Sequence, residues 1–210
     1  MKQHQIRIVG GDYRRTPIRV PDGAHLRPTP DRVRETLFNW LAHLWGGDFA
    51  SKQVLDLFAG SGALGFEAAS RGVALAQLVE KAPAALAGLR AVQQRLRAPA
   101  IRIHAGDALA YLRALPAPGF DLLMLDPPFG GDWPARLRPL LGQALRPGGL
   151  LYLEAETRAA ADWPPDWTVL RQGRAGQVHY ALLQFAATQK NRNNGRLSPA
   201  DDPHHPSELA

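Results

Sequence analysis

Apolar and polar positions along the chain change their rhythm near residue 50. Before it, two short apolar runs, residues 6–9 (IRIV) and 17–20 (PIRV), flank a Gly-Gly pair and a polar, arginine-rich stretch, and they predict a small hairpin. The segment RPTPDRVRETLFNWLAHL then places Val33, Leu37, Leu41 and Leu44 at helical spacing. Thr29 suits the N-cap of that helix, Pro30 its first position, and Asp31 the positive end of its dipole. Gly46-Gly47 ends it.

From residue 52 strands alternate with helices. QVLDLFA, LAQLVE, IRIHAG, FDLLMLD and GGLLYLEAE read as five strands, with helices expected over 62–71, 82–97, 108–115 and 135–145. That alternation implies parallel pairing with helices on both faces. WTVLRQGR and QVHYALLQFA follow with only a short turn between them, so they must form an antiparallel hairpin that ends the sheet with a reversed strand. The expected organisation is a hairpin-and-helix extension over 1–50, an α/β domain over 51–187, and a polar, proline-containing tail over 188–210, read as disordered.

Composition narrows the class. Hydrophobic residues make up 45%, and no uncharged apolar run approaches the roughly 18 residues of a membrane-spanning helix. The first residues hold no apolar export core. Without cysteine there is no disulfide framework, thiolate zinc site or cysteine nucleophile, and the scattered histidines suggest no metal site. A cytoplasmic monomer, away from membranes, is expected. The net charge of +6 matters mainly through its distribution: Lys2, Arg7, Arg14, Arg15, Arg19, Arg27, Arg32 and Arg34 fall in the first forty residues, against four acids. Arginine suits forked phosphate contacts and base stacking, although a solvated basic face reads equally well. Arg34 and Glu35 in particular fit either phosphate contact by the arginine or a helix-surface charge pattern.

Three acids end successive strands. In DLFAGSGALG, the glycines Gly60, Gly62 and Gly65 satisfy G-x-G-x-x-G and would let a ligand approach the backbone at the carboxyl edge of the sheet. A dinucleotide is the obvious candidate, but Asp56 would repel its pyrophosphate and instead suits a ligand carrying an amine. Glu80, 24 residues after Asp56, fits ribose hydroxyls. Asp107 is either an N-cap or the partner of an adenine amine. Together the row describes a nucleoside with a cationic tail, S-adenosylmethionine.

The fourth strand runs into LDPPF, residues 125–129. An exocyclic base amine is a poor nucleophile because its lone pair is delocalised into the ring. The Asp126 carboxylate and the Pro127 carbonyl can accept its two hydrogens and draw the nitrogen toward tetrahedral geometry. Proline stiffens that carbonyl and carries no competing N–H. Phe129 offers a face for a base taken out of its stack.

With VLDLFAGSGALG, LVEK and LDPPF in place, the chain resembles the class I S-adenosylmethionine-dependent methyltransferases of the amino type, a Rossmann-like fold. RIVGG and LRPTPDRVRETLFNWL are similar to one family, the bacterial 16S ribosomal RNA guanine-N2 methyltransferases, over roughly residues 6 to 186. The resemblance implies a seven-stranded sheet of order 3-2-1-4-5-7-6 with an antiparallel last strand. It also implies methylation of a guanine amine in 16S rRNA, on the 30S subunit or an assembly intermediate. By the same resemblance the cofactor lies against Asp56, Phe58, Ala59, Gly60, Ser61, Gly62, Glu80, Lys81, Asp107 and Ala108. Asp126, Pro127 and Phe129 are then catalytic, and Arg14, Arg15, Arg27, Thr29, Arg32 and Arg34 are the RNA contacts. This chain has YRRT where the family usually carries W-R-G-R, and Lys81 where a second acid or small polar residue is frequent. Three alternatives remain: a DNA amino-methyltransferase acting on adenine N6 or cytosine N4, a nicotinamide-dependent oxidoreductase, and a non-catalytic RNA-binding protein.

Overall fold

The computed structural model describes residues 5–20, 29–128, 133–155 and 163–186; the tail expected over 188–210, Arg27 and Phe129 lie outside them. A two-stranded antiparallel hairpin, β1 (Gln5–Arg7) and β2 (Pro17–Arg19), leads into helix α1 (Asp31–Leu44). The larger unit then runs β3 (Gln53–Asp56), α2 (Ala63–Ser70), β4 (Leu75–Glu80), α3 (Pro83–Leu96), β5 (Ile101–Ala105), α4 (Ala108–Ala114), β6 (Phe120–Leu125), α5 (Trp133–Ala144), β7 (Leu145–Ala155), β8 (Trp167–Ala175) and β9 (Val178–Phe185).

Seven strands form one sheet in the order β5-β4-β3-β6-β7-β9-β8. Counted from β3, that is the expected 3-2-1-4-5-7-6. β5 through β7 pair in parallel, and β9 runs antiparallel to both of its neighbours. Alternate residues of the central strands feed two core layers, because successive side chains of a strand point to opposite faces. Val54, Leu78, Leu122, Met124 and Tyr152 pack on one face, and Leu55, Val79, Leu123, Leu125 and Leu153 on the other. Buried on both faces, these strands read as nearly continuous apolar runs.

Ile6, Ile8, Ile18 and Val20 of the hairpin join the first of these layers, as do Val33, Leu37, Phe38 and Leu41 of α1. Two expectations for α1 are corrected. Its buried face is Val33, Arg34, Leu37, Phe38 and Leu41, whereas Leu44 is 38% exposed. The face turns toward 34 and 38 because the acid that Arg34 meets, Glu67, lies on that side. Thr29 also does not cap the helix: Pro30 holds the cap position, without any side-chain cap bond, and the Thr29 hydroxyl is engaged elsewhere.

Glu67 is the joint between extension and sheet. It is fully buried on α2 and accepts the backbone N–H groups of Val9 (2.7 Å) and Gly10 (2.9 Å). Arg71 reaches it at 3.1 Å and Arg34 at 3.6 Å. At the far end of α2, the Ser70 carbonyl and hydroxyl accept the N–H groups of Asp12 and Tyr13, both at 2.8 Å. One helix therefore carries the glycine turn at its start and the arginine-bearing hairpin at its end.

Candidate active site

Ligands of open parallel sheets bind beyond the carboxyl ends of the strands, where the connections diverge to the two sides. Here that point lies between β3 and β6, which pair with Asp56 opposite Met124. The β3 end turns through Leu57 to Gly62, with Gly60 (φ 53°) and Gly62 (φ 83°) left-handed. A Cβ on Gly62 would sit 2.6 Å from Leu89 and Phe66 side-chain atoms, so the turn needs glycine there for both its backbone angle and its space.

The three strand-end acids each have a defined setting. Asp56 is buried and accepts the Gly65 N–H at 3.1 Å. Burial pushes its carboxyl up to about 7, with Glu80 and Glu154 adding to the rise; the bonds from Gly65 and Phe58 act against it. Glu80 fastens two loops: it accepts Gly60 N–H at 2.8 Å on one oxygen, and Lys81 and Ala82 N–H at 2.8 and 2.7 Å on the other. Asp107 is the N-cap of α4, accepting from Leu109 N–H at 2.9 Å through Oδ1. Its Oδ2 lies 3.7 Å from the ammonium of exposed Lys81. Ala59 and Ala108 are buried, while Phe58 and Ser61 keep partial exposure.

Asp126 follows β6 directly and keeps some surface, as does Pro127. Its Oδ2 lies 3.5 Å from the Thr29 hydroxyl. Burial holds its carboxyl well above the usual carboxylate range, and the nearby Glu154 and Asp56 raise it further, against the Thr29 hydroxyl. Asp56 thus acts on Asp126 across one crevice. They share it with a third acid.

That acid, Glu154, was not singled out from the sequence. It is buried on β7, and its Oε1 accepts the hydroxyls of Thr29 (2.7 Å) and Tyr152 (2.8 Å). Burial raises its pKa, while those two bonds and Arg34 act in the other direction. The signal was available: LLYLEAE puts a carboxylate inside an apolar strand, two residues from a tyrosine on the same face. Trp133 meets Phe58 edge-on at 5.1 Å, with Lys81 5.7 Å and Arg136 4.8 Å from its ring. It therefore borders the glycine turn.

Among the RNA candidates, Arg14, Arg15 and Arg32 are exposed. Two others are corrected. Arg34 has no exposed surface and binds Asp31 at 2.6 Å and the Arg7 carbonyl at 2.7 Å, so neither an RNA contact nor a helix-surface pair with Glu35 is open to it. Thr29 is 3% exposed with its hydroxyl turned inward to Glu154, so it does not face RNA. Among the described residues no cluster of potential ligands could hold a metal ion, and no helix is long and apolar enough to cross a membrane.

Comparison with known proteins adds identity to this geometry. A family model described as conserved hypothetical protein 95 matches residues 6–184. The ribosomal RNA small subunit methyltransferase D of Escherichia coli strain K12 is 40% identical over 186 residues, covering 87% of this chain and 91% of its own length. The protein of the same name from Haemophilus influenzae is 35% identical over 185 residues, covering 86% of this chain and 94% of its own. Among solved structures, the yhhF protein of Escherichia coli superposes with a TM-score of 0.77 at 38% identity, covering 88% of this chain and all of its own.

Proposed function

Because the chain belongs to the conserved hypothetical protein 95 family, alongside the small-subunit rRNA methyltransferase D proteins, we propose that it is an S-adenosylmethionine-dependent rRNA methyltransferase. The finer reading is transfer to the exocyclic N2 amine of a guanine in 16S rRNA, by a cytoplasmic monomer acting on the 30S subunit or an assembly intermediate. The observation that carries it is the placement of the Asp126 carboxyl just beyond β6, at the same edge of the sheet as Asp56 on the neighbouring parallel strand β3.

The acids fit the cofactor on chemical grounds. Asp56 is a buried carboxyl whose pKa is raised chiefly by loss of solvation, a cost that a ligand's own positive charge would relieve. Bound S-adenosylmethionine supplies an activated methyl group on a cationic sulfur. Asp56 would hold the amine of that ligand, Glu80 the ribose hydroxyls, and Asp107 the adenine amine. Phe58, the backbone from Ala59 to Gly62, Lys81 and Ala108 would complete the walls. The substrate amine gives one hydrogen bond to Asp126 and one to the Pro127 carbonyl, with the base resting on Phe129. Its lone pair would form the new N–C bond as the methyl's bond to sulfur breaks, the bonding pair remaining on sulfur so that S-adenosylhomocysteine leaves, and Asp126 as carboxylate would take the proton lost from nitrogen. Most of the rate comes from positioning.

Asp56 makes cofactor affinity depend on pH. With its pKa raised to about 7, the empty folded protein binds a proton there that the unfolded chain has already lost, so stability falls as pH rises toward 7. A cation beside Asp56 reverses the preference and expels that proton on binding. Affinity should therefore weaken by about tenfold per pH unit below 7 and level off above it. Calorimetry between pH 5.5 and 8 in buffers of different ionisation enthalpy checks both the slope and the released proton; a flat profile would remove Asp56 from the amine site.

Exposed Arg14 and Arg15 on the hairpin are proposed phosphate contacts, together with Arg32. Replacing Arg14 and Arg15 by alanine should raise KM for RNA by roughly tenfold, lower the salt dependence of binding and leave kcat near its starting value. Steady-state kinetics at two salt concentrations distinguish this from a loss of kcat, which would place these arginines in the chemistry.

The reading is tested by incubating the protein and labelled S-adenosylmethionine with free 16S rRNA, 30S particles or duplex DNA. Label in small-subunit rRNA, recovered as N2-methylguanosine, is expected. Label only in duplex DNA would overturn it.

A further inference from the structure

Thr29 belongs to the segment entering α1, far in sequence from the two acids it meets. Its hydroxyl lies 2.7 Å from Glu154 Oε1 and 3.5 Å from Asp126 Oδ2, so its single proton goes to one acid while its oxygen accepts from the other when that acid is protonated. Glu154 is held from its other side by the Tyr152 hydroxyl, which donates to the same oxygen at 2.8 Å. Thr29 and Glu154 are both buried, so no water shell supports this arrangement in their place. Buried polar groups are retained at a cost unless each finds a partner, and here the partners converge on the acid at the β6 tip.

We propose that Thr29 and Glu154 are positioning residues for Asp126: the Thr29 hydroxyl, fixed by Glu154, keeps the Asp126 carboxyl turned into the crevice. The contact also ties that carboxyl to the arginine-bearing extension, since Thr29 lies just ahead of α1, whose Arg34 binds the Arg7 carbonyl of the hairpin and faces Glu67. Geometry favours orientation over direct chemistry. Glu154 lies on β7, the strand beside β6, is held by the Thr29 and Tyr152 hydroxyls, and meets Asp126 through the Thr29 hydroxyl as well as through its own nearby charge. Asp126 lies just beyond β6, where among the described residues its carboxyl meets the Thr29 hydroxyl.

This inference rests on the proposed catalytic role of Asp126, so its test includes that residue. In the full-length protein, Thr29→Val, Thr29→Ser, Glu154→Leu, the Thr29→Val/Glu154→Leu pair and Asp126→Asn are compared for kcat on 30S particles, KM for RNA, cofactor Kd and melting temperature. Thr29→Val and Glu154→Leu should each lower kcat about tenfold, with cofactor Kd and RNA KM within about threefold of the starting values. The double variant should be no slower than either single one, because one contact fails in all three. Thr29→Ser, which restores the hydroxyl, should recover most of the rate. Each result has an opposite that overturns the proposal: an unchanged kcat in Thr29→Val, a Thr29→Ser as slow as Thr29→Val, or losses that multiply in the double variant. Should Glu154→Leu prove too unstable to assay, the valine–serine comparison decides alone. An active Asp126→Asn would instead sink the catalytic reading beneath it.

Discussion

Asp126→Ala should cut methyl transfer by about 10²–10⁴-fold while the protein still folds and still binds S-adenosylmethionine. The carboxyl is one of two oxygens proposed to take the hydrogens of the substrate amine, and it is the acceptor for the proton that leaves. Among the described residues the two neighbouring acids are engaged elsewhere: Asp56 is held on β3 by the Gly65 N–H, and Glu154 by Thr29 and Tyr152. Cofactor binding should survive, since the ligand's positive charge is assigned to Asp56. Affinity near neutral pH should stay close to that of the parent protein. Single-turnover assays with 30S particles, alongside calorimetry, separate the two effects. Activity within tenfold of the starting protein would show that the carboxyl is not part of the chemistry.

The largest effect on stability should come from Glu67→Ala. That single carboxylate accepts two backbone N–H groups from the hairpin, Val9 and Gly10, and faces two guanidinium groups, Arg34 and Arg71. Arg34 has no exposed surface, so losing Glu67 leaves it with Asp31 as its remaining acid partner. Removing one partner of a buried ion pair typically costs about 3–5 kcal/mol, because a charge is left behind without compensation. Urea unfolding should register that loss, and native-state proteolysis should cut first within the hairpin, whose attachment to α2 runs through this residue. Glu67→Gln, which keeps an acceptor for the amides, should lose distinctly less. A Glu67→Ala variant within 1 kcal/mol of the parent would mean that the apolar contacts of Ile6, Ile8 and Ile18 dominate the docking.

The sequence made the central sheet legible because its signals are local. Apolar runs bounded by glycine turns specify β3 to β7, and a loop too short to cross over specifies the β8–β9 hairpin. The acids at the strand tips were equally visible, since a charge that ends an apolar run stands out by position alone. What escaped were contacts between distant segments. Glu67 lies within ALGFEAAS, where it looks like the outward face of an alanine-rich helix; only the docked hairpin turns it inward. Arg34 seemed exposed for the same reason, as periodicity places it beside a buried face without saying that an acid waits there. Thr29 has the sequence signature of a cap, and tertiary structure gave its hydroxyl a better acceptor 125 residues away. Local propensity yields when a buried carboxylate offers the stronger bond.

The most direct test of the central claim is mass mapping of modified nucleosides in small-subunit rRNA from cells lacking this protein, with and without the gene restored. Loss of a single N2-methylguanosine, returned by the wild-type gene but not by the Asp126→Ala form, is the predicted result. An unchanged set of rRNA modifications, or full restoration by Asp126→Ala, would contradict it.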